Sequence, residues 1–202
     1  DIIRDYVNPA DFGNLINNHT PENQNKILRN FHKWLKPKGQ IFMHHTDPEN
    51  IDPGPRPFSQ LYYDENGTEH VSCSRADGLA FDVLRKLNKP VYILSTETNL
   101  VVKSRAKKLK VPVLQGICDK VEALKELSSV KGYDLKNILY VGNDLNDYHV
   151  MQACGYSACP KDSHKMIKSI ATVILKTRGG NGVVRDLLED TLQIDFIKVL
   201  YS

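Results

Sequence analysis

The chain has 202 residues, 41% of them hydrophobic, which excludes a disordered protein and suffices for one domain with a real core plus an appendage. Its 27 Lys and Arg against 24 Asp and Glu leave a net charge of +3, too small to imply nucleic acid, and no apolar stretch has the length to span a membrane. Cys73, Cys118, Cys154 and Cys159 show neither a CxxC pair nor a secreted-type spacing, so they read as reduced and packed, and a cytoplasmic protein is expected. With Asp1 at its start and no signal peptide, the sequence reads as a fragment or processed form.

In chain order, Thr20 as N-cap, Pro21 in the first turn and an apolar face of Ile27, Leu28, Phe31, Trp34 and Leu35 predict a helix that Pro37 and Gly39 stop. The run QIFMHH follows as a strand; His44 and His45 are adjacent on it, face opposite ways, and make a poor metal pair. TDPENIDPGPRP, with four prolines, reads as a linker. The expected organisation is a helix-strand appendage over 1–56 and an α/β domain over 57–202. QLYYDENGTEHVSC predicts a hairpin with Asn66-Gly67 as a type I′ turn, the dipeptide that tolerates positive φ at both central positions.

From Asp77 onward, helix and strand patterns alternate. A helix through Leu87 precedes the strand PVYILS, a helix over about 102–109 precedes VPVL, and a helix over about 120–127 precedes NILYVG. A helix through Ala153, the strand YSACP, a helix near Met166, the strand ATVIL and a last helix after Gly182 complete the order. This alternation predicts a doubly wound, mostly parallel, Rossmann-like α/β sheet with right-handed crossovers.

The predicted strand ends deliver polar residues. YILSTETN supplies Ser95 and Thr96, VLQGICDK supplies Lys120, and LYVGNDLND supplies Asp144 and Asp147. Open parallel sheets bind ligands at the carboxyl ends of their strands. A hydroxyl can donate to a phosphoryl oxygen, an ammonium can neutralise its charge, and carboxylates can hold Mg²⁺, which prefers oxygen ligands. Each residue has an ordinary alternative: Ser95 as a strand-end hydroxyl, Lys120 as a surface lysine, the two acids as caps of the following helix. If the acids serve a metal, alanine at both is expected to abolish Mg²⁺ binding and leave the fold intact.

Four segments in this order, YYDENGTEHVSCSRADGLAFDVLRK, ILSTETNLVVKSRAKKLKVPVLQGICDK, LYVGNDLNDYHVMQACGYSACPKDSH and RGGNGVVRDLLE, resemble the phosphatases of the haloacid dehalogenase superfamily over about 62–192. Within it they are most similar to 3-deoxy-manno-octulosonate 8-phosphate phosphatases and to the related domains attached to acylneuraminate cytidylyltransferases. The resemblance implies a haloacid dehalogenase-type fold and Mg²⁺-dependent hydrolysis of a small phosphorylated sugar acid through an aspartyl-phosphate. It implies that Ser95 binds the phosphoryl group, with Thr96 beside it, that Lys120 steadies nucleophile and phosphate, and that Asn143, Asp144 and Asp147 form the metal loop. Asn143 stands where many relatives have an Asp. A homotetramer is implied too, with Arg75, Asp77, Gly180 and Asn181 near a neighbouring subunit's site.

The family opens with an Asp-x-Asp-Gly motif ahead of the hairpin, and this chain has none. Ungapped extrapolation from the hairpin reaches Ile51 and Pro53, which cannot do the chemistry. In IFMHHTDPEN, Asp47 follows the predicted strand as candidate nucleophile and metal ligand, and Glu49, two residues on, as candidate acid and base; Asp52 is a second choice for the nucleophile. Two further readings stand beside the phosphatase. One is a catalytically silent oligomerisation domain of a nucleotide-sugar synthetase of the CMP-sialic acid type. The other is a remnant of a methyltransferase fusion, because ILRNFHKWLKPKGQIFMHH resembles the late helix and strand of class I methyltransferases.

Overall fold

The computed structural model describes residues 40–44, 61–63, 66, 69–71 and 74–201. Six strands form one parallel sheet: β1 (Gln40–His44), β4 (Val91–Leu94), β5 (Val113–Leu114), β6 (Ile138–Val141), β7 (Tyr156–Cys159) and β8 (Val173–Ile174), in the order β5-β4-β1-β6-β7-β8. β2 (Leu61–Tyr63) and β3 (Glu69–Val71) pair separately as the antiparallel hairpin. The fold is the doubly wound α/β arrangement that the alternation predicts. No helix among the described residues is long and apolar enough to cross a membrane.

β1 corrects the expected domain boundary. Gln40–His44 falls within the segment read as an appendage, yet it pairs with β4 on one side (His44 with Leu94) and with β6 on the other (Met43 with Val141). A strand hydrogen-bonded on both edges belongs to the sheet it bridges. The proline-rich stretch over 46–57 therefore joins two parts of one α/β unit. The helix predicted ahead of β1, and with it the methyltransferase-like segment up to residue 39, lies outside the described residues.

The hairpin register also differs from the type I′ expectation. A two-residue turn at Asn66-Gly67 would pair Tyr63 with His70, but Tyr63 pairs with Glu69. Asn66 thus lies midway between the paired residues Tyr63 and Glu69.

Helices cover both faces, and strand residues alternate between them as period two demands. Ile93, Leu139, Val141 and Ala158 join Phe81, Leu84, Val102, Ala106 and Leu187 in one core cluster. Leu94, Ile138, Tyr140 and Cys159 join Leu124, Val150, Met151 and Ile167 in the other. The first face is covered by α1 (Asp77–Lys86) and α2 (Leu100–Leu109), the second by α3 (Lys120–Lys131), α4 (Tyr148–Ala153) and α5 (Lys165–Ile170). β6 is buried along its whole length, which is why its sequence is a continuous apolar run.

The chain end departs from the predicted single helix. α6 (Val183–Arg185) passes into a π-helix over Asp186–Thr191, and α7 (Phe196–Tyr201) follows. Within the wide turn Thr191 Oγ1 donates to Asp186 Oδ1 at 3.3 Å, a bond five residues long. Helical periodicity of the sequence does not announce it.

Candidate active site

The chain leaves β1 for one side of the sheet, building β4 and β5, and then crosses to the other side at β6. The carboxyl ends beside β1 are therefore the topological switch point, where open α/β sheets hold ligands. Ser95 follows β4 directly and is wholly buried. Its Oγ accepts the Glu97 N–H at 3.2 Å, and its carbonyl accepts the Ile117 N–H at 3.0 Å, which ties the loop after β4 to the loop after β5.

Lys120 is the first residue of α3. Asp119 caps that helix, accepting from the N–H groups of Val121 and Glu122 at 2.9 and 3.0 Å, so Lys120 is fixed where the loop becomes helix. It is buried, and its Nζ donates to Asp147 Oδ1 at 2.9 Å. Asp147 is itself wholly buried. Tyr140 of β6 donates its hydroxyl to the same Oδ1 at 3.0 Å, while Oδ2 accepts the backbone N–H groups of Asn143 at 2.9 Å and Asp144 at 3.5 Å. Burial, then the Asp147 charge and hydrogen bond, push the Tyr140 phenol well above its ordinary pKa, so it stays a donor.

Gly142 permits this closure. A Cβ there would meet Asp147 Cβ and Cγ at 2.7 Å, closer than carbon atoms pack. The capping reading of the acids is also correct as far as it goes. Asp144 and Asp147 form a capping box at the turn Leu145–Asp147, with Asp144 Oδ1 accepting from Leu145 N at 2.7 Å. What sequence spacing does not show is that Asp147 points inward to the buried lysine. The expectation that alanine at 144 and 147 leaves the fold intact is therefore revised, because Asp147 satisfies four donors in the interior.

Asn143 bears on the cation. Its Oδ1 is buried with no hydrogen-bond partner among the described residues, and its neighbour Asp144 adds a carboxylate. Mg²⁺ takes hard oxygen ligands, commonly one or two from protein with water and phosphate completing the octahedron. The donors present fit that requirement. Among the described residues no group of three or more His, Cys, Asp or Glu gathers to hold a metal. Asp47, Glu49 and Asp52 lie outside the described residues, as does His45. Thr96 is half-buried one position beyond Ser95.

The remaining predicted site residues form a second grouping. Asp77 Oδ1 accepts the N–H groups of Val184 and Arg185 at 2.9 and 3.0 Å, and a Cβ on Gly182 would lie 3.1 Å from Ala76 Cβ. The segment around Arg75 and Asp77 is thereby fastened to the loop over 179–182, which carries Gly180 and Asn181. Gly180 and Gly182 adopt φ of 74° and 87°, the left-handed region that favours glycine. Asp162 Oδ1 accepts from Gly179 N at 2.9 Å and Asp186 Oδ2 from Thr177 N at 2.7 Å, so three carboxylates hold this loop and its stems. Sequence reasoning singled out neither Asp162 nor Asp186. It also read Tyr140 only as a strand residue, although a phenol in a fully buried run signals a polar partner.

Burial raises the Asp77 carboxyl above its ordinary value, opposed by the Arg185 and Val184 N–H groups and by the charges of Arg105 and Arg185. A carboxyl raised in the folded state favours folding below its unfolded value, near 3.8, and loses that contribution as pH rises through the raised value. Asp77→Asn keeps an acceptor without the charge, so it is expected to flatten the stability profile in that acidic window. Asp77→Ala removes the acceptor and is expected to cost about 1 kcal/mol at neutral pH. Urea unfolding across the acidic range measures both, and an alanine variant as stable as the parent would remove the capping role.

Comparison with known proteins gives the family and the fold. The family model of haloacid dehalogenase-like hydrolases matches residues 61–187. The 3-deoxy-D-manno-octulosonate 8-phosphate phosphatase KdsC of Haemophilus influenzae is 29% identical over 135 residues, covering 66% of this chain and 75% of that protein. The crystal structure of 3-deoxy-D-manno-octulosonate 8-phosphate phosphatase from Moraxella catarrhalis, in complex with magnesium ion, phosphate ion and KDO, superposes with a TM-score of 0.69 at 26% identity over 82% of this chain and 91% of that one. The cobalt-bound phosphatase of the same type from Haemophilus influenzae superposes with a TM-score of 0.66 at 26% identity, over 79% and 90% of the two chains.

Proposed function

This chain belongs to the haloacid dehalogenase-like hydrolases, and we propose that it is a Mg²⁺-dependent phosphatase of a small phosphorylated sugar acid, of the 3-deoxy-manno-octulosonate 8-phosphate or acylneuraminate 9-phosphate type. The observation that carries this reading is the buried Lys120–Asp147 pair at the switch point, with the Ser95 hydroxyl on the adjoining strand end. Taking an ammonium and a carboxylate out of water is costly, and a protein core gains little from the pair itself. Its use is to hold a positive charge in fixed orientation where phosphoryl charge arrives.

In this reading Ser95 donates its hydroxyl proton to a phosphoryl oxygen, Lys120 neutralises charge on the phosphoryl group, and Asp147 keeps Lys120 aimed. Mg²⁺ held by Asn143 Oδ1 and the Asp144 carboxylate, together with Asp47, would neutralise phosphate charge and hold the group in line for attack. The Asp47 carboxylate attacks phosphorus, forming an acyl phosphate as the bond from phosphorus to the sugar oxygen breaks, and Glu49 gives that oxygen its proton. Glu49 then takes a proton from water, whose oxygen attacks phosphorus and releases phosphate with Asp47 regenerated. Chain order supports Asp47, which stands three positions beyond the last residue of the central strand. A homotetramer, with Arg75, Asp77, Thr96, Gly180 and Asn181 contacting substrate from one or a neighbouring subunit, completes the reading.

Release of inorganic phosphate from a panel of phosphorylated sugar acids tests it. Turnover is expected to require Mg²⁺, to disappear on chelation and to return when Mg²⁺ is restored. Absence of the Asp-x-Asp-Gly motif favours the silent assembly domain as the competing reading. Protein that binds Mg²⁺ and phosphate but releases none from any member of the panel would establish that alternative.

A further inference from the structure

Three of the four residues of β6, Ile138, Leu139 and Val141, are buried aliphatic side chains. The fourth, Tyr140, is wholly buried and packs in the cluster of Leu94, Leu124, Val150 and Met151. Phenylalanine would fill the same space, so packing accounts for the ring and leaves the hydroxyl to be explained. That hydroxyl donates to Asp147 Oδ1 at 3.0 Å, the oxygen that also receives Lys120 Nζ at 2.9 Å, while Asn143 and Asp144 N–H groups hold Oδ2. Donors from β6, α3 and the loop between β6 and α4 stop the carboxylate from rotating, and a fixed carboxylate fixes the direction of the ammonium. Two donors on Oδ1 also share its negative charge, so less of it neutralises Lys120 and more of the lysine's charge faces an incoming anion.

We propose that Tyr140 is a positioning residue for Lys120, acting through Asp147 to set the direction and effective charge of the ammonium. Its consequence for turnover rests on the phosphatase reading, since Lys120 serves the reaction only where a phosphoryl group is bound.

Tyr140→Phe deletes the hydroxyl and keeps the ring. Calorimetric titration with inorganic phosphate in metal-free buffer is expected to show affinity weakened roughly 3- to 10-fold, the size of effect seen between coupled neighbours. In a Lys120→Gln background the same substitution is expected to change phosphate affinity little. The Lys120 ammonium, held in place in the parent protein, is expected to give a ¹H–¹⁵N signal that broadens or vanishes in Tyr140→Phe. A merely structural role would lower the unfolding midpoint, weaken phosphate equally in both backgrounds and leave the ammonium signal in place; that pattern overturns the proposal, as does unchanged phosphate affinity with an unchanged signal. If the parent protein binds no phosphate either in metal-free buffer or with Mg²⁺ added, the phosphatase reading fails and the ammonium signal alone decides: its loss in Tyr140→Phe supports positioning, and its persistence overturns it.

Discussion

Asp147→Ala is expected to destabilise the protein by about 3–5 kcal/mol, the range for removing one partner of a buried ion pair. The side chains of Lys120 and Asp147 are 3% and 0% exposed, so water cannot replace the lost carboxylate without opening the site. Four donors lose their acceptor together: the Lys120 ammonium, the Tyr140 hydroxyl and the N–H groups of Asn143 and Asp144. The capping box goes with them. Asp144→Ala, by contrast, removes a half-buried carboxylate that accepts the Leu145 N–H and is expected to cost about 1 kcal/mol while weakening Mg²⁺ binding. Urea denaturation of both variants in metal-free buffer separates the roles. A loss below about 1 kcal/mol for Asp147→Ala would mean that the buried pair is not held as described.

Asp47→Asn is expected to abolish phosphate release altogether, and Lys120→Ala to lower kcat/KM by roughly 10²–10³-fold, as loss of one preorganised electrostatic stabiliser does. The two differ because phosphoryl transfer needs an in-line nucleophile, whereas charge neutralisation is shared among several groups. An amide at 47 is nearly isosteric with the carboxylate but cannot form the acyl phosphate. Binding of inorganic phosphate should therefore survive Asp47→Asn and fall in Lys120→Ala. Glu49→Gln is expected to slow substrates with poor leaving groups most, since those need the proton. Steady-state rates on a sugar-acid phosphate and on an activated aryl phosphate measure this contrast. Full activity in Asp47→Asn, with turnover abolished by Asp52→Asn, would move the nucleophile to Asp52; full activity in both would remove the aspartyl-phosphate route through this segment.

Much was determined by the sequence alone, because periodicity and punctuation are local properties. The continuous apolar run of β6 and the alternation of helices with strands predict a parallel doubly wound sheet, and polar residues just past the strand ends place Ser95, Lys120 and the Asn143–Asp147 loop at one edge of it. The caps of two of these helices, Asn99 and Asp119, emerge only in the structure, where both accept backbone N–H bonds. Tertiary structure decided the rest. Nothing within QIFMH says that it will lie between β4 and β6, since strand neighbours are chosen by pairing across long separations and the proline-rich stretch after it mimics a linker. The hairpin register depends on both strands at once, so an Asn-Gly pair does not settle it. Lys120 and Asp147 are separated by 27 residues, and Tyr140 meets them only because β6 and α3 pack on one face of the sheet. Whether a carboxylate caps, coordinates or orients a lysine depends on which donors the fold brings to its two oxygens. For Asp147 those donors come from three segments distant in the chain or on opposite sides of a turn, and only the folded arrangement assembles them.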